Sequence, residues 1–278
     1  MWGEVACTGF AALCLARWSQ KADSESAEAF GNGFLQTGFG RGILKFAAPA
    51  RFRILFPFLL YPENTKAERA EPTWTRWLAY QCLRFACLWS ALALLASAFG
   101  MMMMATTAIL YGLTLRFDYW SNAVEFLGVC LVLSSGVLGW NPLAYLGIGL
   151  VLALGRETTI LLALLGTPAA LCFGAGAAVG HGAVRLLSRP AEEWLEAEES
   201  MGYGKPMWRT NLAFFYSDPA SMIEVAIYLG IAVLSFSIAP WLTLGLVALT
   251  FLVARIDEPR VLTMLTPLAA MGVIRWLS

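Results

Sequence analysis

The stretch WLAYQCLRFACLWSALALLASAF, residues 77–99, decides the class of this chain. It is apolar from end to end, interrupted only by Gln81 and Arg84. A helix that crosses a bilayer needs about 20 such residues, with a range of roughly 17–25. Arg84 stands one to two turns inside the run, close enough to an end for a long cationic side chain to carry its head toward the interface. Residues 77–99 therefore read as a membrane-spanning helix.

The rest of the chain has the same character. Of its 278 residues, 59% are hydrophobic and 14% charged, and the mean hydropathy is +0.65. Soluble domains carry about 45–50% apolar and about 25% charged residues. The composition predicts an all-α, polytopic transmembrane helical bundle, a single integral membrane domain over 1–278 with about eight to ten membrane segments. Nineteen basic and nineteen acidic residues cancel, so no basic face argues for nucleic acid. Paired Cys/His zinc spacing is absent, and a lone histidine, His181, builds no histidine metal site. The six cysteines, Cys7, Cys14, Cys82, Cys87, Cys130 and Cys172, all lie inside apolar runs and read as small packing hydrophobes, with a disulfide between adjacent spans as the alternative.

On the N-terminal side, residues 2–18 form a short first span. A signal peptide wants a positive n-region, whereas the early charge here is Glu4 and Arg17 follows the apolar stretch, so a retained span is expected. Residues 19–76 are a large polar and amphipathic loop, expected to carry amphipathic helices at the interface. Its nine-residue run ILFPFLLYP (54–62) is too short to cross and reads as interfacial or re-entrant. On the C-terminal side, further spans are expected over 101–115, 123–138 and 142–154. MMMM at 101–104 reads as a flexible packing surface. Residues 158–187 are either one long tilted span or two half-spans broken near Thr167-Pro168, and the glycines of FGAGAAVGHG let helices approach closely. Residues 188–220 form a second polar loop, in which RPAEEWLEAEES reads as a short solvated acidic helix. Spans over 222–238, after Pro240 and over the last segment complete the chain.

Outside the two polar loops, the charged residues fall into three islands at span boundaries. The first is RFDYWSNAVEF (116–126), with Arg116, Asp118 and Glu125; the second is Arg156-Glu157; the third holds Arg255, Asp257, Glu258 and Arg260. A charge at the bilayer centre costs about 2.5–3.5 kcal/mol on insertion scales. Such residues either anchor span ends at the headgroups or gather in a wet cavity between helices. In a cavity, arginines bind phosphate and a carboxylate is left for proton transfer. Strict alternation of spans puts 116–125 on the side of 19–76. It puts 255–260 there only if 158–187 crosses twice. The basic residues of 19–76 favour the cytoplasm on charge alone, but a loop of that length is at the edge of the positive-inside rule.

Four of these stretches, in this order, carry a resemblance: RFRILFPFLLYP (51–62), FDYWSNAVEFLG (117–128), LGRETTILLAL (154–164) and ARIDEPRVLTMLTPL (254–268). Together they resemble the C-type glycosyltransferases, multi-spanning enzymes that use polyprenyl-phosphate-linked sugars, and related bacterial membrane proteins. The resemblance implies transfer of a sugar from a lipid-linked donor to a lipid, glycan or protein acceptor, in the bacterial inner membrane. It implies a general base in the loop after the first span, where Asp23 is the closest match and Glu25 the next. It implies substrate contacts from Arg51, Arg53, Asp118, Glu125, Arg156, Glu157, Glu258 and Arg260, the arginines on the lipid phosphate. No cofactor is implied with certainty; a divalent metal bridging the phosphate would take Asp118 or Glu125 as oxygen ligands. Two other classes stay open on the residues alone. One is a transporter or flippase-like carrier; the other is a non-catalytic membrane subunit packed through its eleven tryptophans and small-residue span. Sugar, acceptor and oligomeric state leave no trace in the sequence.

Overall fold

The computed structural model describes residues 2–18, 74–114, 122–153, 157–187, 208, 211–212, 219–253 and 259–278. All regular structure among them is helical. The α-helices are α1 (Trp2–Trp18), α2 (Trp74–Phe99), α3 (Met101–Thr114), α4 (Asn122–Leu133), α5 (Ser135–Leu138), α6 (Pro142–Leu152), α7 (Pro168–Leu187), α8 (Pro219–Phe236), α9 (Pro240–Val253) and α10 (Thr266–Leu277). Two 3₁₀ helices join them: a first arm, Glu157–Leu165, before α7, and a second arm, Pro259–Leu265, before α10.

Proline sets many of these starts. Pro142, Pro168, Pro219 and Pro240 each open a helix, where the missing N–H costs nothing and the fixed φ is already helical. Asn141 caps α6, its Oδ1 accepting from the Leu143 N–H at 3.0 Å. Thr167 does the same for α7, its hydroxyl accepting from the Ala170 N–H at 3.2 Å.

Among the described residues one helix, over Gln81–Phe99, is long and apolar enough to cross a membrane by itself, and the shorter apolar helical stretches run 10–17 residues. Breaks divide some of the runs. The run expected to be one span over 123–138 is broken at Ser134 into α4 and α5. Gly100, at φ +89°, separates α2 from α3. Of the polar loop expected over 19–76, residues 74–76 are instead the first turn of α2, and the rest, with the 54–62 segment, lies outside the described residues. Of the loop expected over 188–220, residues 208, 211–212 and 219–220 are helical, and the acidic stretch 189–200 lies outside the described residues.

The stretch 158–187 is two arms. The first 3₁₀ arm ends at Leu165, Gly166 takes φ +73°, and α7 starts at Pro168. Gly174 of α7 lies against Ala163 and Ile160 of the arm, so the chain has folded back on itself. A Cβ at Gly166 would meet nothing within 4 Å, so an alanine there suffers only from the left-handed backbone. We expect Gly166→Ala to lower unfolding stability by about 1–2 kcal/mol. Gly182→Ala, on α7 in open space, should be neutral or better in the same detergent-based unfolding titration.

The far face of α7 packs on α6 through glycines. Gly176 sits on the Leu146 carbonyl and Gly180 on the Leu150 carbonyl, while Gly149 of α6 sits on the Phe173 carbonyl. The same four-residue step in the same direction along both helices makes α6 and α7 a parallel pair. The first arm returns between them in the chain. The close approach expected of the Gly-rich stretch is thus a backbone-to-backbone contact.

The centre of the bundle is α4, buried on almost every side: Asn122, Ala123, Val124, Glu125, Phe126, Gly128, Val129, Cys130 and Val132 are all inside. A helix enclosed all round is a core helix, not a surface one. Leu88, Leu92 and Leu95 of α2, Phe173 of α7, and Leu262 and Leu268 near the end of the chain complete the interior. Of the four methionines, Met103 and Met104 are buried and Met102 faces outward. At the edge, α1 is tied to α2 by the Trp89 Nε1–H, which donates to the Thr8 hydroxyl at 3.1 Å.

The expectation that all six cysteines pack inside is corrected. All six are free thiols; Cys87 and Cys130 are buried, Cys172 is half-buried, and Cys7, Cys14 and Cys82 are exposed. Cys7, Cys14 and Cys82 lie on outward faces of α1 and α2, so an apolar run is not interior on every side. Arg84 departs from expectation as well: it does not reach an interface but is 1% exposed, turned inward on α2, the helix that packs against α4.

Candidate functional site

The site starts from a conflict in α4. Its sequence, NAVEFLGVCLVL, puts a carboxyl in the first turn of the most enclosed helix. Asn122 and Glu125 are three residues apart and share one face. Both are 0% exposed. Burying a carboxyl without partners is costly, so partners must be supplied.

They come from the two 3₁₀ arms. The Thr158 hydroxyl, in the first turn of the first arm, donates to Glu125 Oε1. The Thr263 hydroxyl, on the second arm, donates to Glu125 Oε2 at 3.0 Å. Each carboxyl oxygen thus accepts from a different arm. The first turn of α4 adds the positive end of its helix dipole. The second arm is kinked at Leu262 (φ −101°, ψ 15°), immediately before Thr263. Thr266, one turn on, donates to the Thr263 carbonyl at 2.7 Å.

Aromatic and polar neighbours close the surroundings. The Tyr111 ring of α3 lies 4.4 Å, centroid to centroid, from Phe126, the residue after Glu125. Thr114 at the end of α3 and Thr159 on the first arm are buried. So the end of α3, the beginnings of α4 and of the first arm, and the later part of the second arm gather around Glu125.

Glu125 comes from the first charged island, and Thr158 and Thr263 follow the second and third in sequence. Of the residues assigned from sequence, Glu125 is the one whose side chain is described. Glu157 and Arg260 belong to the two arms, but their side chains lie outside the described set. Asp23, Glu25, Arg51, Arg53, Asp118, Arg156 and Glu258 lie outside the described residues altogether. Among the described residues no group of three or more His, Cys, Asp or Glu side chains is placed to hold a metal. Glu125 itself has both oxygens engaged by hydroxyls.

Thr158 and Thr263 were not singled out by sequence. Their signal is weak: each is a threonine in an apolar run, two residues after Arg156 and three after Arg260. The interior holds other buried polar groups. Asn211 Nδ2–H donates to the Phe251 carbonyl at 2.8 Å, and Glu224 of α8 and His181 of α7 are buried. No protein-family model, no curated protein and no solved structure matches the chain.

Proposed function

We propose that the chain is a polytopic integral membrane protein of the bacterial inner membrane and a transferase of the C-type, moving a sugar from a polyprenyl-phosphate donor to an acceptor hydroxyl. Its surface supports the membrane reading. Phe10, Ile109, Leu143, Val179, Val233, Trp241 and Trp276 are each at least 60% exposed, on seven different helices. Meanwhile Arg84, Asn122, Glu125 and Glu224 are buried. Soluble monomers rarely expose contiguous apolar patches above a few hundred Å²; in lipid this inside-out distribution is the favourable one.

A single observation supports the transferase reading: Glu125 of the first charged island receives the hydroxyls of Thr158 and Thr263, which stand on the arms that carry Glu157 and Arg260. In the proposed reaction the acceptor oxygen attacks the anomeric carbon and the bond from that carbon to the phosphate oxygen breaks. Asp23, or Glu25, takes the hydroxyl proton, and the electron pair leaves on polyprenyl phosphate. Arg51, Arg53, Arg156 and Arg260 stabilise the charge on that leaving group.

The test is release of polyprenyl phosphate from a polyprenyl-phospho-sugar by the full chain in nanodiscs, with extracted envelope lipid and glycan as acceptor. Asp23→Asn and Arg260→Ala should each lower the rate by about 100-fold while expression holds. Full activity in Asp23→Asn, Glu25→Gln and Asp118→Asn together overturns the reading. Substrate flux in liposomes without turnover would favour a carrier instead, a class in which interrupted helices like the two arms are expected.

A further inference from the structure

We infer that Thr158 and Thr263 are positioning residues, and that Glu125 is the post they share: the trio fixes the start of the first 3₁₀ arm and the second arm just past its kink, so that the arm bearing Arg260 can receive a lipid phosphate. This rests on the transferase reading.

The observations are geometric. The two arms come from places more than ninety residues apart in the chain, yet each sends a threonine hydroxyl to a different oxygen of one carboxyl. That carboxyl is on the most enclosed helix of the bundle and is 0% exposed. A side chain so enclosed, with both oxygens engaged by protein hydroxyls, is poorly suited to touch a diffusing substrate. It is well suited to hold two chain segments in register. The kink at Leu262 falls directly before Thr263, so the threonine anchors the arm where its path changes. Arg260 lies on that arm three residues earlier. Anionic lipid phosphate is the ligand class a cationic arm of this kind takes.

A positioning role separates from a purely architectural one by what the substitutions change. Thr263→Val and Thr158→Val keep side-chain shape and remove the donor; Thr263→Ser and Thr158→Ser keep the donor. The readout is binding of polyprenyl phosphate to the full chain in nanodiscs, measured beside the thermal unfolding midpoint. We expect each valine variant to bind about tenfold more weakly, the effect of one hydrogen bond to a carboxylate, with the midpoint shifted by only a few degrees. The serine variants should bind within about twofold of the original. Thr263→Val should cost nothing further in a Glu125→Gln background that already binds as weakly. If Arg260→Ala weakens binding but the valine variants do not, or if serine fails to restore it, the positioning role is overturned and the transferase reading stands. If the unaltered chain and Arg260→Ala bind polyprenyl phosphate equally, both fall.

Discussion

Replacing Gly176 with alanine should drive α6 and α7 apart. A Cβ there would fall inside the contact radius of the Leu146 carbonyl oxygen, and the next atoms in its way are the Leu146 carbonyl carbon and Cα. The obstacle is backbone, so no rotamer change relieves it. Overpacking a core typically costs about 1–3 kcal/mol when side chains can shift. Here a helix must move, and we expect a loss of about 3 kcal/mol or more, at the top of that range. Gly149→Ala meets the Phe173 carbonyl from the other side and should cost about as much. Gly147→Ala, on α6 but facing open space, is the control and should be harmless. Reversible unfolding by a denaturing detergent, followed by far-ultraviolet circular dichroism, reads all three. A stable Gly176→Ala variant would mean that the pair packs at ordinary distance.

The second large effect is expected at Glu125. Glu125→Ala removes two acceptors at once, leaves the buried Thr263 hydroxyl and the half-buried Thr158 hydroxyl without this partner, and opens a void in the central helix. Hydrogen bonds between helices in lipid average about 0.6 kcal/mol and reach about 1.7, because the unfolded chain there also finds partners. Two such bonds to a carboxyl, plus the lost packing, give about 2–4 kcal/mol. Glu125→Gln keeps the volume and one acceptor oxygen, and should lose about half as much. The same detergent titration ranks them. Equal stabilities for the alanine and glutamine variants would show that only volume matters at this position.

How far the sequence could anticipate this arrangement depends on what local chemistry specifies. Helix starts were readable wherever proline supplies the first residue, as at Pro142, Pro168 and Pro240. The first helix ends where its apolar run ends, at Trp18. Glu125 was readable because an acid inside an apolar run must face protein or water. The 3₁₀ arms were not. ETTILLALL has good α-helical composition, and nothing within it announces the tighter winding. Nor were the threonines. Their partner lies 33 residues away for Thr158 and 138 for Thr263, and a single hydroxyl carries no mark of so distant an acceptor. The break at Ser134 lies among Leu133, Ser135 and Gly136, with no proline to declare it. The inward turn of Arg84 depends on which faces of α2 its neighbours cover, a tertiary fact that a run of apolar letters does not encode.

The parallel pairing of α6 and α7 bears on how the molecule is made. Gly149 is synthesised 27 residues before Gly176. At roughly 5–20 residues per second, a ribosome takes about one to five seconds to cover that interval. Throughout it, α6 has no mate for its glycine face, and the intervening arm must be laid down and reversed before the mate arrives. This face is where a nascent chain is most open to capture by a chaperone, or by the wrong helix.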